Sequence, residues 1–293
     1  MKGIFLSKNL IKDYFQLIKP GIVFGNAITV VAGFSLASKG VINGALLLAT
    51  LAGLSLVVAS GCVFNNYIDR DIDAEMERTK GRALAQGRIS LRNALVYGVL
   101  LWLIGFYILL CSTNFLTVEV ALVGLFVYVG VYSLWLKRSS VYGTLIGSIS
   151  GAVPPVVGYL AVSNNIDAGA IILFIILTLW QMPHSFAIAI YRLEDYVKAG
   201  IPVLPAKRGV AVTKLHMFFY TIFFTPATLM LSILGYTGRL YFVAMSLLGI
   251  AWLALCVRGF FTNDNKIWAR NMFIFSIVII VVFAVVVSFE KFI

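Results

Sequence analysis

The sequence predicts an all-α, polytopic membrane protein, and three observations carry that reading. Hydrophobic residues make up 61% of the 293-residue chain and charged residues 12%, against roughly 45–50% and 25% in soluble domains. A soluble fold of this length has too little interior to hide so much apolar surface. The apolar residues also come in long unbroken runs, not the ~10-residue alternating segments of a membrane barrel. Finally, the 23 Lys and Arg residues gather in alternate connections between those runs. Disorder, collagen and coiled coil are excluded by the same composition.

Nine spans follow in order, at about 20–38, 43–64, 93–111, 116–136, 141–162, 168–190, 215–234, 240–257 and 268–289. Each approaches the roughly 20 residues that cross a bilayer as a helix. The first follows a polar stretch ending at Lys19 and Pro20, long for the n-region of a secretory signal. Ser35-Leu36-Ala37 imitates a cleavage site, but the run before it reads as a span. The second span runs directly into an acidic connection. The fourth contains Glu119, close to its outer end. The sixth holds His184 late in its course, and the seventh opens at His216 near the interface.

The N-terminal segment and the connections after the second, fourth, sixth and eighth spans hold 20 of the 23 basic residues. The other side holds Lys39, Arg239 and Lys291. The positive-inside rule then places the N-terminus in the cytoplasm and the C-terminus outside. The net charge of +11 is on this reading a topology signal, and no nucleic-acid partner is expected. Cys62, Cys111 and Cys256 lie far apart inside apolar runs and read as small hydrophobes. Nothing resembling a linker divides the chain, so one membrane domain over 1–293 is expected.

Two cytoplasmic connections are long, about 65–92 and 191–214, and long loops between packed helices tend to carry function. The first reads Asn65-Asn66-Tyr67-Ile68-Asp69-Arg70-Asp71-Ile72-Asp73. Asn65, Asp69 and Asp73 are spaced i, i+4, i+8, so a continuing helix would align all three. Like charges at that spacing repel, and a hard divalent cation between them would reverse the sign. The alternative is a solvated turn whose acids pair with Arg70, Arg78, Lys80 and Arg82. A second acidic spot, Glu194-Asp195, follows the sixth span on the same side. Carboxylates interleaved with Arg and Lys suit a polyphosphate held through Mg²⁺. At the mouth of an apolar bundle, a natural ligand is a lipid diphosphate.

These residues resemble the UbiA superfamily of intramembrane prenyltransferases, and within it the branch that modifies haem. The likeness rests on Asn65-xxx-Asp69-xxx-Asp73, Arg78-Thr79 and Tyr191-Arg192-Leu193-Glu194-Asp195-Tyr196. It also rests on Trp180-Gln181-Met182-Pro183-His184, Gly151-Ala152-Val153-Pro154-Pro155 and Lys19-Pro20-Gly21. The resemblance implies a nine-helix bundle whose central cavity opens to the cytoplasm. It also implies transfer of a farnesyl group from farnesyl diphosphate to the 2-vinyl group of haem B, with water added. Haem B is then a substrate and Mg²⁺ the cofactor. Membrane lipid and a downstream haem A synthase or terminal oxidase are the implied partners.

The implied metal ligands are Asn65, Asp69, Asp73 and Asp195, with the two Asp residues of the first motif expected to serve the metal and not packing. Many relatives carry a second Asp where this chain has Tyr191, so Glu194 is a further candidate ligand. Ser185 and Ala83 also depart from the family pattern. Lys80, Arg82, Lys137, Arg138, Arg192 and Lys198 are candidates for diphosphate or haem propionates, and Tyr191 for the substrate as well. His184 is either a packing residue or an axial ligand or orienting donor for the haem substrate. Trp180 flanks a porphyrin on that second reading, and Asn26, polar in the first span, faces the site. Competing functions are prenylation of a quinone precursor and, from another class, transport. Transport would call for ionisable groups near mid-bilayer, whereas these acids crowd one interface.

Overall fold

In a computed structural model the described residues run from 8 to 290. The expectations for Lys2, Lys291 and the chain ends lie outside them. Among the described residues the architecture is all helical. The elements are α1 (Lys8–Leu17), α2 (Pro20–Ser38), α3 (Gly44–Ile68), α4 (Arg70–Glu75), α5 (Leu91–Ser112) and α6 (Phe115–Ser139). They continue with α7 (Gly143–Ser163), α8 (Ala168–Tyr191), α9 (Leu193–Lys198), α10 (Leu204–Ile233), α11 (Arg239–Phe261) and α12 (Asn265–Phe289). Nine of them are long and apolar enough to cross a membrane, and their order matches the nine predicted spans. The chain is a multi-pass membrane protein.

Short polar side chains set many of the helix starts. Asn43, Ser90, Asn114, Asp167 and Asp264 each accept a hydrogen bond from a backbone N–H of the first turn they precede. Such caps stabilise a helix start by about 1 kcal/mol.

The seventh span departs from expectation. It starts at Leu204, not near 215. Its first turns carry Lys207, Arg208 and Lys214, which depress hydropathy without depressing helicity. Gly209, at φ 83°, breaks the helix geometry between the two parts. Lys214, expected in a cytoplasmic connection, is instead buried: its Nζ donates to Gly259 O at 2.5 Å and lies 5.2 Å from the Trp268 ring centroid. It satisfies carbonyls that the end of α11 leaves without intrahelical partners.

Two interior clusters hold the bundle. The larger joins α2, α7, α8, α10, α11 and α12 through Tyr241, Trp252, Phe224 and Phe283. A smaller one joins α2, α3, α5, α6 and α7 around Val30, Leu54 and Val157. Large apolar side chains elsewhere, such as Phe24, Leu48, Tyr107 and Leu247, face outward, as lipid contact requires.

Helices α2 and α7 meet backbone to backbone. A Cβ on Gly158 would strike Val30 O, and one on Gly33 would strike Pro155 O. Neither carbonyl can move without unravelling its helix. Gly158→Ala is therefore expected to lower stability by about 1–3 kcal/mol, the usual cost of overpacking. Thermal unfolding in detergent checks this; a melting temperature equal to that of the unsubstituted protein would contradict the packing account.

Helix α1 is amphipathic. Leu17 is buried while Ile11 and Phe15 stand out, a pattern suited to an interfacial helix. Asp13 accepts both arms of the Arg88 guanidinium at 2.9 Å, which holds its carboxyl below the usual range. Asn66 Nδ2 donates to Leu17 O at 2.7 Å. That clamp ends α1, and Lys19 turns the chain into α2 with φ 51° and ψ 68°.

Candidate functional site

Helix α3 carries the first acidic motif, and it nearly continues into α4. Asp69 N donates to Asn65 O at 2.9 Å and Asp73 N to Asp69 O at 2.7 Å, so the i, i+4, i+8 alignment expected from the spacing is present. Three elements then converge on this stripe. From the α1–α2 junction, Lys19 Nζ donates to Asn65 Oδ1. Asn65 Nδ2 reaches Asp69 Oδ2 at 2.8 Å and Ser133 Oγ at 2.9 Å. From the end of α6, Lys137 pairs with Asp69 Oδ2. Arg82, from the loop after α4, pairs with Asp73 at 2.6 Å. Asn65, Asp69 and Asp73 are 3%, 0% and 4% exposed, so these are interior pairs.

The route by which Lys137 gets there is informative. Val127–Leu136 within α6 is a π-helix. At roughly 82° per residue it keeps Tyr128, Tyr132, Ser133 and Lys137 within about a quarter-turn; at the ~100° of an α-helix Lys137 would face away from Tyr128. Tyr128 and Tyr132 stack with ring centroids 5.9 Å apart, and both line the cavity described below. Arg138, next in sequence, points elsewhere. It binds Asp71 at 2.6 Å and Ile68 O at 2.6 Å, and lies 3.9 Å from Asp69 Oδ1. Its guanidinium holds the Asp71 carboxyl well below the usual carboxylate range.

The second acidic loop meets the first. Glu77 N donates to Asp195 Oδ1 at 3.3 Å. Beneath that contact Met76, Ala189, Ile201 and Val203 form a small apolar cluster with Ile72, Leu193 and Tyr196 at its edge. Tyr196 faces the cavity from α9, and burial raises the pKa of its hydroxyl. The loop from 76 to 90 is equally anchored: Ala83, Leu84 and Ile89 pack against Leu17 and Val63, and Thr79 Oγ1 donates to Asp73 O at 3.0 Å.

These elements enclose a central cavity of about 790 Å³. One end is polar, with Lys19, Asn65, Asp73, Arg78, Arg82 and Lys137. The rest is largely apolar and aromatic, with Asn26, Gln181 and His184 among it, and between α2 and α12 it is lined by the lipid-exposed side chains Ile22, Phe24, Ile277 and Val281. Burial, and then the charge of Arg82, pull the Lys19 ammonium down to about 8. Four cations around one cavity end repel one another, and an entering anion relieves that repulsion.

Deeper on α8, His184 lies seven residues before Tyr191, about 10 Å along the helix. Its ring stacks on Trp180 with centroids 4.7 Å apart, and Phe273 lies tilted beside it with centroids 5.0 Å apart. Its Nδ1 is 2.7 Å from Ser276 Oγ.

Of the residues singled out from the sequence, Asn26, Asn65, Asp73, Arg82, Lys137, Trp180 and His184 line the cavity. Asp69 lies directly behind them, and Asp195 at the junction of the loops. The others lie off the cavity lining. Lys80 is exposed and paired with Glu77, Arg192 stacks on Tyr191 at 4.6 Å, and Glu194 and Lys198 are exposed. Lys19, Arg78, Tyr128, Tyr132 and Tyr196 were not expected as site residues. Lys19 and Arg78 stood in motifs that carry the family resemblance but were given no role at the site; the two α6 tyrosines reach the site through the π-helix.

Among the described residues no three His, Cys, Asp or Glu groups come together as a closed metal cage. The oxygen set is nonetheless of the right chemistry for a hard cation. Asn65, Asp69 and Asp73 share one stripe, and Asp69 Oδ1 is buried with no hydrogen-bond partner. Such a site suits Mg²⁺ that takes part of its coordination from phosphate oxygens.

Comparison with known proteins agrees with this architecture. The UbiA prenyltransferase family matches residues 26–278. A "Protoheme IX farnesyltransferase" of Sodalis glossinidius is 57% identical over 96% of this chain and 95% of its own length. That of Edwardsiella ictaluri is 56% identical over the same shares. Among solved structures, a digeranylgeranylglyceryl phosphate synthase superposes with a TM-score of 0.78 at 22% identity, covering 95% of this chain and 98% of that one. A UbiA homologue from Archaeoglobus fulgidus bound to GPP and Mg²⁺ gives 0.66 at 15% identity, covering 94% and 99%. The chain belongs to the UbiA prenyltransferase family.

Proposed function

We propose that this chain, a single UbiA-type domain over residues 1–293, transfers the farnesyl group of farnesyl diphosphate to the 2-vinyl group of haem B. Water is added, and haem O and diphosphate are released. The observation that carries the reading is a single cavity with a cationic, carboxylate-bearing end and a largely apolar remainder that holds a histidine stacked on Trp180. The relatives named above, matched over nearly their full length, support the choice of haem as acceptor.

Lys19, Arg78, Arg82 and Lys137 bind the diphosphate and hold it at the polar end. Asn65, Asp69, Asp73 and Asp195 would hold Mg²⁺, which neutralises the leaving diphosphate. The allylic C–O bond breaks and its electron pair leaves with diphosphate. The terminal vinyl carbon of haem bonds to the allylic carbon. Water captures the cation left beside the porphyrin ring and loses a proton, which completes the hydroxyethylfarnesyl group. Tyr128 and Tyr132 present ring faces along the cavity, where their electron-rich surfaces favour the allylic cation. The apolar walls keep water from that cation until the vinyl group arrives. The lipid-facing opening between α2 and α12 admits both apolar substrates.

The polar end faces the cytoplasm of the bacterial inner membrane, and a haem A synthase or terminal oxidase receives the product. A reporter fused after Ile293 is expected to behave as extracytoplasmic; activity confined to the cytoplasm would overturn this orientation. Membranes of cells expressing the protein are expected to contain haem O by pyridine haemochrome and mass analysis, and those of cells lacking it are not. Unchanged haem content together with a prenylated quinone precursor would reject the haem reading.

A further inference from the structure

We infer that Ser276 is the positioning residue that makes His184 a ligand for the iron of the haem acceptor, an inference that rests on the function proposed above. Ser276 is fully buried in α12. Its Oγ donates to Phe273 O at 2.6 Å. A hydroxyl has one hydrogen; with that hydrogen committed, Oγ can only accept from the imidazole 2.7 Å away. Nδ1 of His184 therefore carries a hydrogen.

The ring itself is uncharged. Trp180 stacks on it and Phe273 lies tilted beside it, no carboxylate partner is present among the described residues, and burying an unpaired charge is costly. A neutral imidazole has a single N–H, so Nε2 is a bare lone pair. Among the described residues Nε2 has no hydrogen-bond partner, and His184 lines the cavity. Ser276 also fixes the stacking ring, because Trp180 Nε1 donates to Ser276 O at 2.8 Å. One residue thus sets the tautomer with its side chain and holds the stacking Trp180 ring with its carbonyl.

This arrangement distinguishes a ligand from a packing residue. Buried packing histidines satisfy both nitrogens. Metal-bound histidines donate the second N–H to an oxygen, which orients the ring and raises its basicity; here that donation is already made. The diphosphate offers only acceptor oxygens, and a bare nitrogen gives them nothing. Haem iron is the one group in the proposed substrate pair that takes an imidazole nitrogen.

The test titrates haem B into purified full-length protein, with Ser276→Ala, Ser276→Thr and His184→Gln beside it. The Fe–His stretch of the ferrous complexes is read by resonance Raman. The starting protein is expected to show an Fe–His band. Ser276→Ala should weaken haem binding about tenfold, the lower end of the effect of removing the outer partner of a metal-bound histidine. It should also shift the band to lower frequency and leave the KM for farnesyl diphosphate unchanged. Ser276→Thr, which keeps the hydroxyl, should restore affinity and band, and a general packing defect would not be rescued in this way. Identical band and affinity in Ser276→Ala would overturn the role of Ser276. A starting complex without an Fe–His band, in which His184→Gln lowers kcat at normal haem affinity, would make His184 the acceptor of the water proton and also overturn the inference. Failure to bind haem at all, with prenylation of another acceptor, would instead remove the proposed function on which it rests.

Discussion

Replacement of Asp73 by Asn is expected to cut turnover by roughly two to three orders of magnitude, as loss of a group that stabilises developing charge does, while the protein still inserts and folds. Asp73 lines the cavity and its charged partner is Arg82 at 2.6 Å. Asparagine keeps the volume and one carbonyl oxygen for that guanidinium. The bond from Thr79 goes to the backbone of residue 73 and survives. What is lost is the negative charge facing the cavity; Arg82, whose side chain is 25% exposed, keeps solvent access, so the loss falls on a bound cation more than on the fold. Single-turnover rates across a Mg²⁺ titration, with a melting curve for each protein, separate the two effects. Near-normal Mg²⁺-dependent turnover in the Asn variant would remove Asp73 from the metal set.

Asp69 is expected to behave differently, and the sequence alone treats the two residues as alike. Asp69 is fully buried against Lys137, whose side chain is 16% exposed. Asp69→Asn leaves a buried ammonium without its counter-charge. Lys137→Met leaves a buried carboxylate whose nearest remaining cation is Arg138 at 3.9 Å. Removing one member of such a pair costs about 3–5 kcal/mol, whereas removing both can be close to neutral. Each single variant should therefore melt well below the starting protein, and Asp69→Asn/Lys137→Met should recover most of the loss. None of the three should turn over, since the double variant lacks both the carboxylate and the cation. Single variants that melt like the starting protein would show that the pair does not hold α6 against α3.

The two acidic residues illustrate how far the sequence could be read. Hydropathy and the alternation of basic connections mark the nine spans, because bilayer insertion depends on those same quantities. The Asn65, Asp69, Asp73 stripe was legible because α3 keeps its 3.6-residue period into α4. Of its partners, Arg82 alone was among the cations expected to pair with the acids. Lys137 reaches it only through a π-helix, which no α-helical periodicity anticipates. Lys19 was marked only as part of the Lys19-Pro20-Gly21 motif; its left-handed backbone conformation and its bond to Asn65 are tertiary facts. Lys214 looks cytoplasmic by charge, yet it satisfies Gly259 O inside the bundle. Ser276 stands among Phe275 and Ile277 in a very apolar span. A lone small polar residue there could have been flagged as an interhelical hydrogen-bond partner, but its link to His184 needs the packing of α12 on α8.

The proposed reaction needs one cavity to join an end that binds diphosphate to a depth that binds haem. Its most direct test is an assay of purified protein with haem B, labelled farnesyl diphosphate and Mg²⁺, followed by mass analysis of the haem. The expected result is Mg²⁺-dependent appearance of label in haem O with stoichiometric release of diphosphate. Diphosphate release without label in haem, or label passing only to a quinone precursor, would contradict it.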